Sequence, residues 1–210
     1  MRLYDCKSAP SPRRVRIFLA EKGLEVPSVP IDLRSREHLQ PRFRAVNPDC
    51  TVPVLELDDG SLLRSTAAIW RYLEATYPEP PLMGRTPIEQ ALIADTQWRI
   101  ESDGFGAVAE WLRNSAPGMK DRALTGAVDY PQIPELAQRG RRRAEAFLER
   151  LEALAQSADP FLCGERFSVA DIDALVVIDF ARRLHLEPPV GASGIQRWYA
   201  LVCSRPSAAA

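Results

Sequence analysis

Hydroxyl and basic side chains occur together at the junction between the first predicted strand and the first predicted helix. Ser8 and Ser11 lie in this junction, and Arg13 and Arg14 follow them. A helix N-terminus has free backbone N–H groups and the positive end of the helix dipole, so it attracts anions. A hydroxyl here can donate a hydrogen bond to a thiolate and help to keep it ionised. The structural alternative is that Ser11 is the N-cap and Pro12 the first helical residue.

Two further positions could bind other parts of an extended ligand. Pro53 stands at the head of a predicted strand. It is either an edge-strand proline without a function or part of a cis Val52–Pro53 bond. A cis bond would turn the Val52 backbone outward to pair with a peptide-like ligand. Ser65 and Thr66 stand at the start of a later helix, where they either cap the helix or bind a carboxylate.

The elements that position these residues change in character along the chain. Up to about residue 80 the patterns predict the order β-α-β-(short α)-β-β-α, with strands at 2–4, 26–31, 52–57 and 61–63 and helices at 10–22 and 65–76. A proline-rich linker follows, and beyond it only helical periodicity is found. We therefore expect an α/β domain at 1–79, a linker at 80–86 and an all-α domain at 87–210.

The predicted helical domain has a defined start and a buried centre. Thr86 is expected to be the N-cap of its first helix, with Pro87 as the first helical residue. That helix should be long or bent, with looser structure at two glycines, and further helices are expected around 144–154, 168–184 and 195–202. The helix at 168–184 is apolar on most sides, which predicts a buried position. Ser168 and Asp171 should cap each other's amides at its start.

Composition and charge exclude several classes of protein. The 210 residues include 27 basic and 28 acidic side chains and carry a net charge of −1, unlike a nucleic-acid-binding protein that works through bulk positive charge. The start does not resemble a secretory signal, and the longest apolar run, 174–178, is far too short for a membrane span. Four cysteines are scattered without metal-ligand spacing, so we expect no metal site, reduced thiols and a cytoplasmic location.

Four stretches of the chain resemble the soluble glutathione S-transferases, with a bacterial-like pattern. They are SPRRVRIFLAEKG at 11–23, NPDCTVPVL at 47–55, AIWRYLE at 68–74 and FLCGERFSVADI at 161–172. Their order and spacing, with the proline linker between the last two, carry the resemblance across nearly the whole chain. It implies a thioredoxin-like domain that binds glutathione as co-substrate and a helical domain that binds a small hydrophobic electrophile. The expected reaction is attack of the glutathione thiolate on that electrophile.

The resemblance also assigns residues to the parts of glutathione. Val52 would pair through its backbone with the cysteinyl part, and a cis Pro53 becomes the expectation. Thr66 falls where the family binds the γ-glutamyl carboxylate. His38 falls where theta-like members contact the glycine carboxylate, and the alternative is an exposed loop residue.

The chain departs from the family pattern at the residue before Thr66. Ser65 stands where the family usually has a Glu or Asp that can hold the γ-glutamyl ammonium. Glutathione binding is then weaker, or the ammonium is held in another way. One alternative is an acid from a second subunit, the partner subunit's Asp103 or the partner subunit's Glu101.

A second departure concerns the catalytic hydroxyl. Ala9 occupies the usual position of the catalytic Ser or Thr. We predict that Ser11 supplies the hydroxyl, because the helix start fixes its position, and Ser8 is the second candidate. Cys6 could form a mixed disulfide with glutathione, but a packed thiol at the strand end is the simpler interpretation.

Residues of the first long helix are candidates for the electrophile site between the two domains. Trp98, Phe105 and Trp111 would supply apolar walls, and Arg99 and Arg113 would supply polar groups. The alternative is that these side chains are ordinary core and surface residues. A homodimer is the family habit. Two other functions fit the same fold: a non-catalytic binding or regulatory protein, and a glutathione-dependent disulfide reductase or peroxidase.

Overall fold

A four-stranded mixed sheet forms the centre of the N-terminal unit. The computed structural model describes residues 1–210, which divide into two units: residues 1–80 with 125–129 and Ala210, and residues 81–124 with 130–209. The elements of the first unit are β1 (Arg2–Asp5), α1 (Pro10–Glu21), β2 (Ser28–Pro30), a 3-10 turn (Glu37–Leu39), α2 (Pro41–Arg44), β3 (Val54–Glu56), β4 (Leu62–Leu63) and α3 (Thr66–Thr76). This is the predicted order, and it confirms an α/β unit.

The strands are ordered β2-β1-β3-β4 in the sheet. Strand β2 is parallel to β1, while β3 is antiparallel to both β1 and β4. Tyr4 lies opposite Val54, and Leu55 lies opposite Leu63. The register therefore brings the C-terminal ends of β1, β2 and β4 to the same edge of the sheet as the N-terminal end of β3. We call this edge, with the segments that adjoin it, the ligand edge.

Two predicted strands were too long. The second covers 28–30 rather than 26–31, and the third begins at Val54 rather than at Val52. The late start of β3 has a physical reason, because Pro53 has no N–H to donate to a neighbouring strand.

The helices of the first unit are held together by buried aromatic and charged groups. Phe18 of α1 stacks on Trp70 of α3 with ring centroids 5.7 Å apart, and both rings are fully buried. Lys22 has a buried side chain whose Nζ donates to the carbonyl of Pro80 at 2.6 Å and pairs with Glu74 at 2.7 Å. A buried ammonium needs such partners, because removing it from water without them is costly. Lys22, at the C-terminal end of α1, thus connects the segment at Pro80 to α1 and to Glu74 of α3.

The second unit is entirely helical, apart from isolated bridges. Its elements are α4 (Pro87–Arg99), a π-helical segment (Ile100–Phe105), α5 (Gly106–Ser115), a 3-10 turn (Pro117–Met119), α6 (Pro134–Gln156), α7 (Val169–Arg182), α8 (Ser193–Cys203) and a final 3-10 turn (Pro206–Ala209). No helix of the protein combines the length and the apolar character needed to cross a membrane.

The predicted long helix is interrupted by the π-helical segment at the two glycines. Thr86 caps α4 as predicted, and Glu89 completes a capping box with it. A Cβ on Gly104 would lie 2.9 Å from the ring of Phe147, and a Cβ on Gly140 would lie 2.6 Å from the backbone nitrogen of Trp111. The second contact shows that α5 and α6 approach so closely that only glycine fits between them.

Helix α7 is the buried centre of the second unit, as its sequence predicts. Asp171 in its first turn is fully buried and accepts hydrogen bonds from the backbone of Leu162 at 3.0 Å, the backbone of Ser168 at 3.0 Å and the indole of Trp198 at 2.8 Å. Burial raises the pKa of this carboxyl, and the donors oppose that effect. Asp171 therefore joins three segments of the unit, and its bond from the Ser168 backbone is the predicted cap.

Candidate functional site

The predicted glutathione-binding residues come from segments that meet at the ligand edge. The junction with Ser8 and Ser11 follows β1, and His38 lies in the connection after β2. Val52 precedes β3, and Thr66 follows β4. Because the ends of these strands lie at one edge of the sheet, the fold gathers residues that are up to 58 positions apart, counting from Ser8 to Thr66.

The end of β1 is a rigid base for the first of these segments. Asp5 is buried, and its carboxylate accepts from Arg16 of α1 at 2.5 Å. The other arm of the same guanidinium donates to the carbonyl of Lys7 at 3.3 Å. Ser28 of β2 contacts the second oxygen of Asp5 at 3.5 Å. These contacts tie β1, β2 and α1 together directly beneath the junction.

Helix α1 begins two residues earlier than the structural alternative for Ser11 requires. Its N-cap is Ala9, which has an extended backbone and no capping side chain, and Pro10 is the first helical residue. Proline suits this position because its missing N–H would have no partner there. The interpretation of Ser11 as the N-cap is therefore wrong. Ser11 lies inside the first turn, and its Oγ accepts a hydrogen bond from Arg14 Nη2 at 3.1 Å.

Ser8 has a different environment. It is exposed in the turn before α1, and its Oγ lies 3.4 Å from the Sγ of Cys6. Cys6 is half-buried and unbridged. The Cys6 thiol, which was predicted to lie at the end of the strand, is therefore beside the Ser8 hydroxyl, immediately before the first helix.

The segment before β3 is organised by a buried amide. The Val52–Pro53 bond is cis, as the resemblance led us to expect. Asn47 is fully buried, and its Nδ2 donates to the carbonyl of Thr51 at 2.8 Å and to the Thr51 hydroxyl at 2.9 Å. Its Oδ1 accepts from the backbone of Asp49 at 3.1 Å. Asn47 thus fixes the turn that presents Val52, a role that the sequence analysis missed although the Asn-Pro pair indicates a turn.

The start of α3 combines a cap with a buried hydroxyl. Ser65 is the N-cap, and its Oγ accepts from the backbone of Ala68 at 3.2 Å. Thr66 is buried, and the first turn of the helix has no acidic side chain. His38 is half-buried in the 3-10 turn after β2. The free N–H groups at this helix start can bind a carboxylate, but this turn has no carboxylate of its own to hold an ammonium group.

Three of the candidate electrophile-site residues lie along α4 and the π-helical segment. Trp98 is 67% exposed, and Arg99 is paired with Asp95 one turn earlier at 3.0 Å. Phe105 is buried, and its ring centroid lies 6.5 Å from that of Phe180 in α7. Phe105 therefore packs in the core of the helical unit, while Trp98 and Arg99 lie at its surface.

The other two candidates lie on α5. The Trp111 ring is covered by the guanidinium of Arg141 at 5.6 Å from its centroid. Arg113 donates to the carbonyls of Arg122 at 2.9 Å and Leu124 at 3.2 Å. Burial, and then the charge of Arg122, lower the pKa of Arg113. Two cavities of the helical unit, of about 410 and 220 Å³, are lined by other residues.

Comparisons with known proteins agree with this geometry. Residues 3–81 match the model of the glutathione S-transferase N-terminal domain, and residues 134–201 match that of the C-terminal domain. The chain is 35% identical to glutathione S-transferase 2 of Saccharomyces cerevisiae, over 99% of this chain and 87% of that protein.

Solved structures give the same result. The crystal structure of a glutathione S-transferase domain-containing protein of Marinobacter aquaeolei VT8 matches this chain with a TM-score of 0.90 and 37% sequence identity. The match covers 99% of this chain and 100% of that chain. The crystal structure of Gtt2 from Saccharomyces cerevisiae matches with a TM-score of 0.91 and 34% sequence identity, over 100% of this chain and 99% of that chain. These likenesses confirm the predicted thioredoxin-like domain followed by a helical domain. The chain belongs to the glutathione S-transferase family.

Proposed function

We propose that this glutathione transferase binds glutathione at the ligand edge and ionises its thiol for attack on a small hydrophobic electrophile. The observation that carries the proposal is the meeting of the first turn of α1, the turn held by Asn47 and the start of α3 at one sheet edge. In this proposal, residues 1–79 bind glutathione, 80–86 link the domains, and 87–210 bind the electrophile.

Each part of glutathione has a proposed partner. The backbone of Val52 pairs with the cysteinyl part, and the N–H groups and hydroxyl at Thr66 bind the γ-glutamyl carboxylate. The imidazole of His38 contacts the glycine carboxylate. Ser65 cannot neutralise the γ-glutamyl ammonium, so we expect weaker binding of glutathione than in relatives with an acid at that position.

The chemical step depends on the acidity of the thiol. A cysteine thiol has a pKa near 8.5, so only about 3% of it is ionised at pH 7. The dipole of α1, the nearby Arg13 and Arg14, and a hydrogen bond from Ser11 all favour the thiolate. If they lower the pKa by about two units, roughly three-quarters of the bound thiol is ionised at pH 7. The thiolate then attacks the electrophilic carbon, and the leaving group or the adjacent position takes up the negative charge.

Ser11 is better placed than Ser8 for this role. It is half-buried and held in the first helical turn, so its hydroxyl has a fixed position, whereas Ser8 is exposed in a turn and contacts Cys6. Fixed donors stabilise a developing or bound anion better than mobile ones, because they need not be reorganised.

A binding and turnover experiment tests the proposal. Titration calorimetry with glutathione at millimolar concentration should show binding, and a chloronitrobenzene substrate should be conjugated. Ser11→Ala should lower turnover by about 10²-fold, the loss typical of a single anion-stabilising donor, while Ser61→Ala in an exposed turn serves as a control. Absence of glutathione binding contradicts the proposal. Unchanged turnover in Ser11→Ala contradicts only that assignment and directs the test to Ser8→Ala.

The same assays separate the alternative functions. Binding without conjugation would favour a regulatory protein on this fold. Reduction of a small disulfide at the expense of two glutathione molecules, without conjugation, would favour a disulfide reductase.

We propose a homodimer, and the outer face of α4 supports it. Ile88, Leu92 and Trp98 are all more than half exposed on this helix. Ile88 and Leu92 are one helical turn apart and so share a face of α4, and we propose that this apolar face contacts a second copy of the chain. Light scattering should give twice the monomer mass of 23.4 kDa, and Leu92→Arg should shift it toward the monomer. The four unbridged cysteines fit the reduced cytoplasm that we propose as the compartment.

A further inference from the structure

We infer that Arg14 is a positioning residue that aims the hydroxyl hydrogen of Ser11 at the sulfur of glutathione. The inference rests on the proposed function, because it concerns the donor that stabilises the thiolate. Its starting point is the contact between Arg14 Nη2 and Ser11 Oγ at 3.1 Å.

Arg14 is unusual for an arginine because only 5% of its surface is exposed. Arginine is almost never buried unless its guanidinium has partners. It lies three residues after Ser11, so the two side chains share one face of the first helical turn. A buried guanidinium is fixed by its packing, and so it holds the serine oxygen in a defined place.

The direction of the hydrogen bond determines what the serine can do. A guanidinium has only donors, so Ser11 Oγ must be the acceptor in this contact. The hydroxyl hydrogen must therefore point toward some other acceptor. A serine inside a helix usually returns this hydrogen to the carbonyl four residues earlier. For Ser11 that residue is Lys7, which lies before the helix, and the contact that the Ser11 hydroxyl makes is with Arg14 instead.

The charge of Arg14 adds to this orientation. A hydroxyl that accepts from a cation becomes a stronger donor, because consecutive hydrogen bonds polarise one another. A positive charge in the same turn also favours an anion at the helix start, together with the helix dipole. Lysine would supply the charge without the planar fork that fixes the oxygen. The inference therefore predicts a role for the guanidinium that charge alone does not provide.

The test measures the pKa of the glutathione thiol when it is bound to the intact protein. Thiolate absorbance in the ultraviolet is followed against pH for the wild type, Arg14→Met, Arg14→Lys, Ser11→Ala and the double variant that combines Arg14→Met with Ser11→Ala. Arg14→Met should raise the bound-thiol pKa by about one unit and lower kcat/KM at pH 6.5 by about fivefold, with recovery at high pH. Arg14→Lys should also raise the pKa, by less.

The double variant separates orientation from charge. If Arg14 acts through Ser11, the rise in bound-thiol pKa in the double variant is smaller than the sum of the rises in Arg14→Met and Ser11→Ala. Additive rises in the double variant, or a wild-type pKa in Arg14→Lys, overturn the inference. Should Arg14→Met fail to fold, Arg14→Lys and Ser11→Ala still decide the matter. Arg71→Met, at an exposed arginine of α3, controls for loss of positive charge and should leave the pKa unchanged.

The outcome also distinguishes this inference from the proposed function. A wild-type protein that binds no glutathione overturns both. If the wild type binds glutathione and lowers its thiol pKa, the proposed function is supported. If the Arg14 variants then show the same pKa as the wild type, only the inference is overturned.

Discussion

Replacing Asn47 by alanine should weaken glutathione binding by more than its effect on folding explains. The side chain is fully buried and makes three hydrogen bonds within the turn that leads to Val52. A neutral hydrogen bond contributes about 1 kcal/mol to stability. The loss of three should lower the free energy of unfolding by about 3 kcal/mol.

The functional loss follows from the freedom of the turn. Without Asn47, the backbone of Val52 is no longer held in the orientation that pairs with a ligand. Part of the binding free energy must then be used to order the turn, at about 1 kcal/mol for each residue backbone that is fixed. Ordering one or two residues corresponds to an increase of about tenfold in the KM for glutathione.

A second buried asparagine provides a matched control. Asn114 in the helical unit donates to the carbonyl of Glu110 at 2.9 Å and accepts from the backbone of Ile133 at 2.9 Å. Asn114→Ala should lose about 2 kcal/mol of stability and keep the wild-type KM for glutathione. Urea denaturation and initial rates at varied glutathione measure the two effects. If Asn47→Ala is destabilised and its KM equals that of the control, the positioning role of Asn47 is refuted.

Three further predictions concern other parts of the molecule. Ser65→Asp keeps a good N-cap residue and adds the missing carboxylate, so the KM for glutathione should fall several-fold in rate assays. Gly140→Ala should lower stability by about 1–3 kcal/mol in urea denaturation, because α5 and α6 are in contact there, whereas Gly118→Ala in open space should not. The hydrogen bond from Arg139 lowers the pKa of Glu110, and burial opposes this effect. The resulting stability is present above the unfolded-state pKa of about 4.3 and is lost as the pH falls through the lower folded-state pKa. Glu110→Gln should remove this part of the acid dependence in unfolding titrations.

Local patterns were sufficient for most of the fold. Turn residues, proline positions and helical periodicity predicted the order of elements, the Thr86 cap and the burial of α7, because each is decided by residues close in sequence. The ends of β2 and β3 were less predictable, since the extent of a strand depends on where its neighbours offer hydrogen-bond partners.

The candidate site needed information that no local pattern contains. The sequence brought Ser11 to attention, but its helical position depends on Pro10 taking the first place in α1. The buried contact of Arg14 and the three bonds of Asn47 depend on what covers these side chains, and burial of a polar residue is poorly visible in a single sequence. The electrophile candidates were chosen by residue type alone, and their contacts range from the core, at Phe105, to the surface, at Trp98.

The π-helical segment has a consequence for the two helices it joins. A π turn holds one residue more than an α turn. The extra residue rotates all following side chains by about 100° around the helix axis. Helix α4 leaves Leu92 exposed, while α5 buries Val108 against its neighbours. Helix α4 also buries Ile93, so the π-helical segment changes which face of the continuous helix carries the buried side chains. Removing a single residue from this segment would restore a regular α-helix and turn the face of α5 that now meets α6 at Gly140 away from it.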